Sequence, residues 1–388
     1  MELEVVYSAL PWHNAFRGIR SGSVYMDNAD VTATINFDRI FNLEDKLSLF
    51  VYGLGNHGGQ ATALMGDYQV ASNIEAVRTW RLFEAWVQHN FIKDRISILV
   101  GLYDLNSEFD ILKPGTLFIN SSFGIGAEYA QSGRNGPSIF PVSSFGVRFA
   151  TLIAEHIRFR MAVLDGVPGD PHDLKSNKII LSPNDGVLLA AEAAIYTGRD
   201  HEDLSHVDLE RGYVTRRRKV GREYGIANTD KINIGWWYYI DKFMQINDST
   251  DLQYGNAGAY IGMQRYFTLG SEEDFIALFV RYGIANAAFN RFGSAISAGV
   301  VVSNPIFKTN DSIGLAFSSG INGSVFREIQ ENSSGIAETV LELTYAIPVG
   351  SWLLVQPDVQ YIFNPSTRAD LDNPLSFGLL LQLSLNAN

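Results

Sequence analysis

Cysteine is absent from this 388-residue chain. That excludes a disulfide framework and any thiolate metal site, and says little about compartment. Also missing is any apolar run approaching the ~18 residues that a membrane-crossing helix requires. If the chain crosses a membrane, it must therefore do so as a closed barrel, because in lipid only helices and closed barrels satisfy their own backbone. A basic excess is lacking too. Lys and Arg number 30 against 42 Asp and Glu, for a net charge of −12, which argues against a nucleic-acid partner. No apolar signal segment follows the acidic start Met1-Glu-Leu-Glu4, so an exported protein of this sequence is expected in mature form, with Met1 added or retained. Linker-like and low-complexity stretches are missing as well. The expectation is one domain over 1–388.

What is present is alternation. Ile276, Leu278, Val280 and Tyr282 share one face of a candidate strand, and Ala277, Phe279, Arg281 and Gly283 share the other. Ile157, Phe159, Met161 and Val163 alternate with Arg158, Arg160, Ala162 and Leu164 in the same way. The pattern returns at 231–240, 339–347 and 377–385. A strand has two faces because its side chains repeat with period two. One such strand fits a soluble sandwich equally well. Repetition over most of a long chain points to an all-β, transmembrane antiparallel barrel with lipid outside and a polar lumen inside. Trp236, Tyr238, Tyr266, Phe267, Tyr282, Tyr345, Trp352, Tyr361 and Phe363 fall at or near strand ends. There they are expected to form headgroup-level girdles, although aromatics also favour strands generally.

Candidate strands lie near 14–24, 29–37, 46–53, 79–91, 96–103, 144–152, 155–165, 186–197, 230–240, 256–268, 274–284, 294–304, 309–319, 338–349, 351–363 and 375–385. That makes about 16 strands, inside the range for such barrels. Their connections alternate between short and long, as 92–95, 104–143, 153–154 and 166–185 illustrate. Long loops of this kind face outward and short turns face the periplasm. One connection breaks the rule: 198–229 is long where a turn belongs. Its first half is acidic and its second half carries Arg216-Arg-Arg-Lys219. It is expected to be an atypical charged insertion on the periplasmic side, a docking element for a periplasmic partner, a plug, or a solvated excursion.

Several motifs in order carry a family resemblance. They are Arg81-Leu-Phe-Glu-Ala-Trp-Val-Gln88, Leu99-Val-Gly-Leu-Tyr-Asp104, Leu117-Phe-Ile-Asn-Ser-Ser-Phe-Gly124, Ser144-Phe-Gly-Val-Arg148, Leu164-Asp-Gly-Val-Pro-Gly-Asp170 and Val355-Gln-Pro-Asp-Val-Gln-Tyr-Ile-Phe-Asn-Pro365. In order and spacing the chain resembles the carbohydrate-selective porins, the OprB family, over roughly 76–388. The resemblance implies a 16-stranded barrel of the bacterial outer membrane that passes sugars passively, set in outer-membrane lipid and lipopolysaccharide. Two departures stand out: the insertion at 198–229, and an ending in Leu-Asn-Ala-Asn388 where the family usually has an aromatic residue.

A sugar pore needs groups that replace some of the water around many hydroxyls and still let go. Arg donates, Asp and Glu accept, and Gln does both. By parity, Glu84, Trp86, Gln88, Arg148, Arg158, Arg160, Glu192, Arg281, Asp358 and Gln360 are expected to line the pore, with Lys231, Glu342 and Gln356 also facing inward. Most of these could simply keep the wall wet, as any porin lumen requires. Arg148, Arg158 and Arg160 form the group with a candidate constriction role, since crowded guanidinium groups repel unless partners or solutes balance them. Loop 104–143, with Lys113, Glu128 and Arg134, is the expected inward-folded constriction.

Signals for chemistry are weak. The seven His residues are scattered, no spacing matches a zinc site, and no helix follows Gly53-Leu-Gly-Asn-His-Gly58 to make it a phosphate loop. Neither an enzyme, a cofactor nor a metal is expected. The expected function is passive diffusion of mono- or small oligosaccharides. The alternatives are an anion- or organic-acid-preferring pore, and a barrel anchoring a periplasmic or export assembly.

Overall fold

The computed structural model describes residues 1–43, 45–92, 94–154, 156–197, 229–270 and 274–387. Apart from Thr229, the charged insertion lies outside the described residues.

Strands with one apolar and one polar face bury neither in water alone, and closing the sheet on itself gives each face its own medium. Eighteen strands are described. They are β1 (Glu2–Phe16), β2 (Gly22–Asn36), β3 (Leu47–Gly58), β4 (Thr79–Phe91), β5 (Ile96–Tyr103), β6 (Ser144–Ala154), β7 (Ile157–Asp165), β8 (Val187–Thr197), β9 (Asp230–Ile240), β10 (Phe243–Gln245), β11 (Asp248–Gln253), β12 (Ala257–Thr268), β13 (Phe275–Ala285), β14 (Phe292–Ser303), β15 (Ser312–Asn322), β16 (Ala337–Val349), β17 (Leu353–Phe363) and β18 (Leu375–Ala387). Among them, 16 close into one antiparallel barrel, while β10 and β11 pair as a separate hairpin. Neighbours in sequence are neighbours in the wall, and β1 seals the ring against β18 in a register that sets Val5 opposite Leu385.

Parity fixes which residues meet lipid. On β13, Leu278, Val280 and Tyr282 are exposed on the outer surface, and Ala277, Phe279 and Arg281 are buried within. The inside is no open tube. Apolar side chains from loops 59–78 and 104–143 pack in the lumen on apolar wall residues, with Leu112, Leu117, Phe118 and Phe123 joining Ala277, Phe279 and Ala316 in one cluster.

Two sequence expectations need correcting. The segment 14–24 is not a strand. It spans the end of β1, the turn at 17–21 and the start of β2, and the true first strand begins at Glu2. The cause is visible in the packing. Leu10 and Trp12 face inward but are apolar, and they sit in one cluster with Leu64 and Met65 of loop 59–78. Around Leu10 and Trp12 both faces of β1 are apolar, and period two is hidden there. Tyr266 also departs from the girdle. It shares the inward parity of Tyr260 and Gln264 and packs edge-on against Phe275, with ring centroids 5.3 Å apart. Trp236, Phe267, Tyr282, Trp352 and Phe363 are exposed on the outer surface.

The connections alternate less strictly than the sequence suggested. One end of the barrel carries 59–78, 104–143, 166–186, 241–256, 323–336 and 364–374, but also the short 17–21 and 286–291. The opposite end includes 37–46, which holds a helix at Phe37–Phe41.

Candidate functional site

Register decides which lumen side chains can meet. Across β6 and β7, Arg148 lies opposite Ala162, and Ala150 opposite Arg160. Across β7 and β8, Arg160 lies opposite Glu192. Guanidinium groups this close need acceptors, and Arg148 and Arg160 share Glu108 of loop 104–143 while wall residues supply the rest. Arg148 donates to Glu108 at 2.7 Å, to Ser97 at 2.7 Å and to Gln88 at 2.8 Å. Tyr103 also donates to Glu108. Arg160 donates to the Glu108 carbonyl at 3.2 Å and to Glu192 at 3.3 Å. Burial alone would raise the Glu108 carboxyl, but Arg148 and Arg160 hold it below its ordinary range.

A second clamp lies across the lumen on β13. Arg281 forks onto Asp110 with bonds of 3.0 and 2.7 Å and onto Glu128 with bonds of 2.9 and 2.6 Å. Planar bidentate pairing of this kind is the strong form of charge-assisted hydrogen bond. Burial pushes both loop carboxyls up, against the pull of Arg281. The loop backbone runs so close that a Cβ on Gly126 would stand 2.0 Å from the Arg281 guanidinium carbon. Only glycine leaves that space open.

Wall side chains also hold the loop by its backbone. Glu192 accepts from the Asp110 amide at 2.9 Å, and Glu342 from the Ile119 and Asn120 amides at 2.6 and 2.9 Å. Lys231 donates to the Ile111 carbonyl at 2.6 Å and Gln356 to the Leu117 carbonyl at 2.8 Å. Tyr129 stacks flat on Trp237 at 5.0 Å. Loop 59–78 then knits onto the same structure. The Asn73 amide donates to the Ile119 carbonyl at 2.8 Å, and the Ser121 amide to the Val70 carbonyl at 3.1 Å. The result is a partition of two loops fastened to the wall from β6 to β17.

Among the described residues, a space lies on the other side of that partition. A cavity of about 310 Å³ is bounded by Glu4, Asp30, Tyr52, Phe83 and Glu84 from the β1–β4 wall, by Gln69, Asn73 and Glu75 from loop 59–78, and by Asp104, Thr116, Gln131 and Phe140 from loop 104–143.

Of the residues expected to line the pore, Glu84 borders this cavity, accepting from the Trp86 indole and the Asp104 amide at 3.1 Å each. Trp86 rests against Phe50 at 5.0 Å, and Gln88 is engaged by Arg148. Arg148, Arg160, Glu192 and Arg281 are buried behind the partition, as are Asp358 and Gln360, where Gln360 donates to Asp358 at 3.2 Å and to the Ala71 carbonyl at 3.0 Å. Arg158 sits nearer the opposite end of the barrel, donating to the Tyr196 hydroxyl at 3.0 Å. Arg148, Arg158 and Arg160 were expected at the narrowest opening. They face inward, but the first and last bind the loop, and Arg158 binds the wall. Glu4, Asp30, Tyr52 and Asp104 were missed. Glu4 lies on the strand that sequence periodicity did not reveal, and Asp104 in a loop without periodicity. Among the described residues, no group of three or more His, Cys, Asp or Glu is arranged to hold a metal ion.

Comparison with known proteins gives a consistent picture. The family model described as carbohydrate-selective porin, OprB family, matches residues 20–385. The high-pH structure of Pseudomonas putida OprB superposes with a TM-score of 0.82 at 16% identity, covering 99% of this chain and 94% of that one. The low-pH structure of the same protein gives 0.58 at 14% identity, covering 99% and 92%. A triple mutant of Rhodopseudomonas blastica porin gives 0.54 at 9% identity, covering 99% and 100%. No curated protein sequence matches the chain.

Proposed function

Because this chain belongs to the OprB family of carbohydrate-selective porins, we propose that sugars cross it through the cavity beside β1–β4, with loop 104–143 as the constriction. Porins are channels, and their barrels lie in the bacterial outer membrane, so family membership implies both. The observation that carries the proposal is the one-sided fastening of the inner loops. Arg148, Arg160, Arg281 and Glu342 close off the far wall, leaving the opening beside β1–β4.

The lining suits a sugar. Carboxylates and the amides of Gln69, Asn73 and Gln131 exchange hydrogen bonds with hydroxyls. Phe83 meets Tyr52 edge-on at 5.1 Å and Phe140 at 6.3 Å, and such faces suit the C–H side of a pyranose. At about 310 Å³ the space is at the small end of the roughly 300–1,000 Å³ typical of small-molecule sites. That favours monosaccharides over oligosaccharides. The end bearing the long loops faces outward and meets lipopolysaccharide. A periplasmic partner at 198–229 rests on the charge pattern of that segment alone.

Thr32→Cys tests the route, because the residue borders the cavity and the chain has no native cysteine. A bulky thiol reagent should lower glucose-driven liposome swelling and single-channel conductance together. Ser333→Cys, in an exposed loop, should show neither effect. Unchanged swelling after complete modification of Thr32→Cys would place the route elsewhere.

A further inference from the structure

The rim above β4–β6 is covered by part of a loop. Segment 174–181 reads Leu-Lys-Ser-Asn-Lys-Ile-Ile-Leu. It belongs to loop 166–186, at the end of the barrel that bears the long loops. Arg81 fastens it by donating to the Leu174 carbonyl at 2.9 Å, and the Thr79 hydroxyl by donating to the Lys175 carbonyl at 3.3 Å. Further on, residues 177–180 share a crevice with Leu82, Leu102 and Phe145, which face outward from the wall. The segment therefore leans over the rim onto the lipid side instead of rising into water.

Its side chains are of two kinds. Leu174, Ile179 and Leu181 are apolar and exposed. At the edge of a bilayer such residues enter the acyl region and leave water. Lys175 and Lys178 are exposed beside them, and Arg78, next to Thr79, is exposed as well. Arg78 donates through Nε to the Gly58 carbonyl at 2.6 Å. Among the described residues none of these three cations has a carboxylate partner, whereas Arg134 and Arg368 at the same end pair with Asp241 and Asp370. The carboxylate of Asp173 accepts from the Lys175 amide at 3.2 Å. In a chain of net charge −12, a basic group of this kind marks a place. Trp80, exposed on the outer face beside it, is the side chain expected at headgroup level.

We propose that this rim binds the phosphorylated headgroup of an outer-leaflet glycolipid, lipid A. Arg78, Lys175 and Lys178 meet the phosphates, and Leu174, Ile179 and Leu181 sit among the acyl chains. A guanidinium offers phosphate paired donors, and lysine adds a point charge on a stem that snorkels from the apolar edge. The proposal takes the long-loop end to face outward. None of the three cations borders the cavity beside β1–β4, so the lipid contact is separate from the sugar route.

Native mass spectrometry of the full chain in detergent counts the lipid it retains. The probes are diphosphoryl lipid A, the same lipid stripped of both phosphates, and phosphatidylglycerol. Wild type should retain diphosphoryl lipid A at about ten-fold lower concentration than the stripped form, the effect of one charge-assisted bond. Arg78→Gln with Lys175→Gln and Lys178→Gln should abolish that preference and leave glucose-driven liposome swelling as in wild type. Equal retention of the two forms by the wild-type chain would overturn the inference without any variant. Phosphatidylglycerol held as well as lipid A would overturn it too, as would displacement of the lipid by free inorganic phosphate. A phosphate preference that persists in the triple variant would place the lipid elsewhere on the barrel.

Discussion

The lumen wall from β6 to β17 and the wall from β1 to β4 are built on the same period-two plan, yet their polar side chains do different things. On the first, arginines and carboxylates are buried and matched to a loop. On the second, carboxylates border open space. A charged residue in a pore is therefore not by itself a solute contact. Its partner decides whether it serves as a fastening or as a lining.

The strongest way to break this contrast is to remove a fastening. Arg281→Ala leaves Asp110 and Glu128 buried together without their counter-ion. Breaking a buried pair in this way costs about 3–5 kcal/mol. The heat-modifiability midpoint on gels should fall sharply, and single-channel conductance should rise as the loop comes loose. Conductance equal to wild type in a correctly folded barrel would show that the loop is held without Arg281.

Gly126→Ala attacks the same clamp by crowding. Its Cβ would stand 2.0 Å from the Arg281 guanidinium carbon, and overpacking costs about 1–3 kcal/mol. The same midpoint should fall by less than in Arg281→Ala. No shift would mean the loop has room to retreat.

The partition has a weaker point in loop 59–78. Asp67 is buried, and Glu338 and Glu75 stand near it. Burial, then Glu338 and Glu75, hold its carboxyl well above the ordinary range, with its own backbone amide and then Thr62 pulling the other way. A group whose pKa is raised by folding contributes stability at low pH and loses it as pH rises through the raised value. Channel noise and protease sensitivity of loop 59–78 should therefore increase toward alkaline pH, and Asp67→Asn should flatten that dependence. An equal pH dependence in the variant would assign the effect to another group.

On the open wall the expected effects are mainly on flux. Tyr52→Phe removes one donor to Asp30, a loss of about 1.5–3 kcal/mol for a bond to a charged group. The unfolding midpoint should fall by less than in Arg281→Ala, while glucose permeation changes. A large stability loss would mean that this wall is also a fastening.

The smallest perturbation sharpens orientation. Single cysteines at His172 and Ser333, both exposed in loops, should react with an impermeant reagent on intact cells. Gly169 is a poorer choice in the same loop, because its φ of +64° and a Val142 methyl 2.8 Å from an added Cβ would strain the site. Labelling only after outer-membrane disruption would reverse the barrel.

Much of the architecture was legible from alternation alone. The strands Thr79–Phe91, Ile96–Tyr103 and Asp230–Ile240 match their expected bounds, because lipid and lumen impose different chemistry on alternate residues. Parity also put Arg148, Arg160 and Arg281 on the inner face. It could not show what they touch. Glu108, Asp110 and Glu128 belong to a loop with no period, and their pairing with the wall depends on how that loop folds back. The first two strands were obscured for a related reason. Where a loop packs against the lumen face, as Leu64 and Met65 do beside Leu10 and Trp12, that face turns apolar and resembles the lipid side.

The inward loop also constrains the order of assembly. Its backbone is gripped by Gln264, Glu342 and Gln356, residues that follow it by 151 to 239 positions. Loop closure over such spans is slow and entropically costly before the contacts form. A sheet that sealed β1 to β18 first would have to thread a charged segment of 40 residues (104–143) into a finished cylinder. The segment is better placed as a mandrel, around which the later strands wrap before the seam shuts.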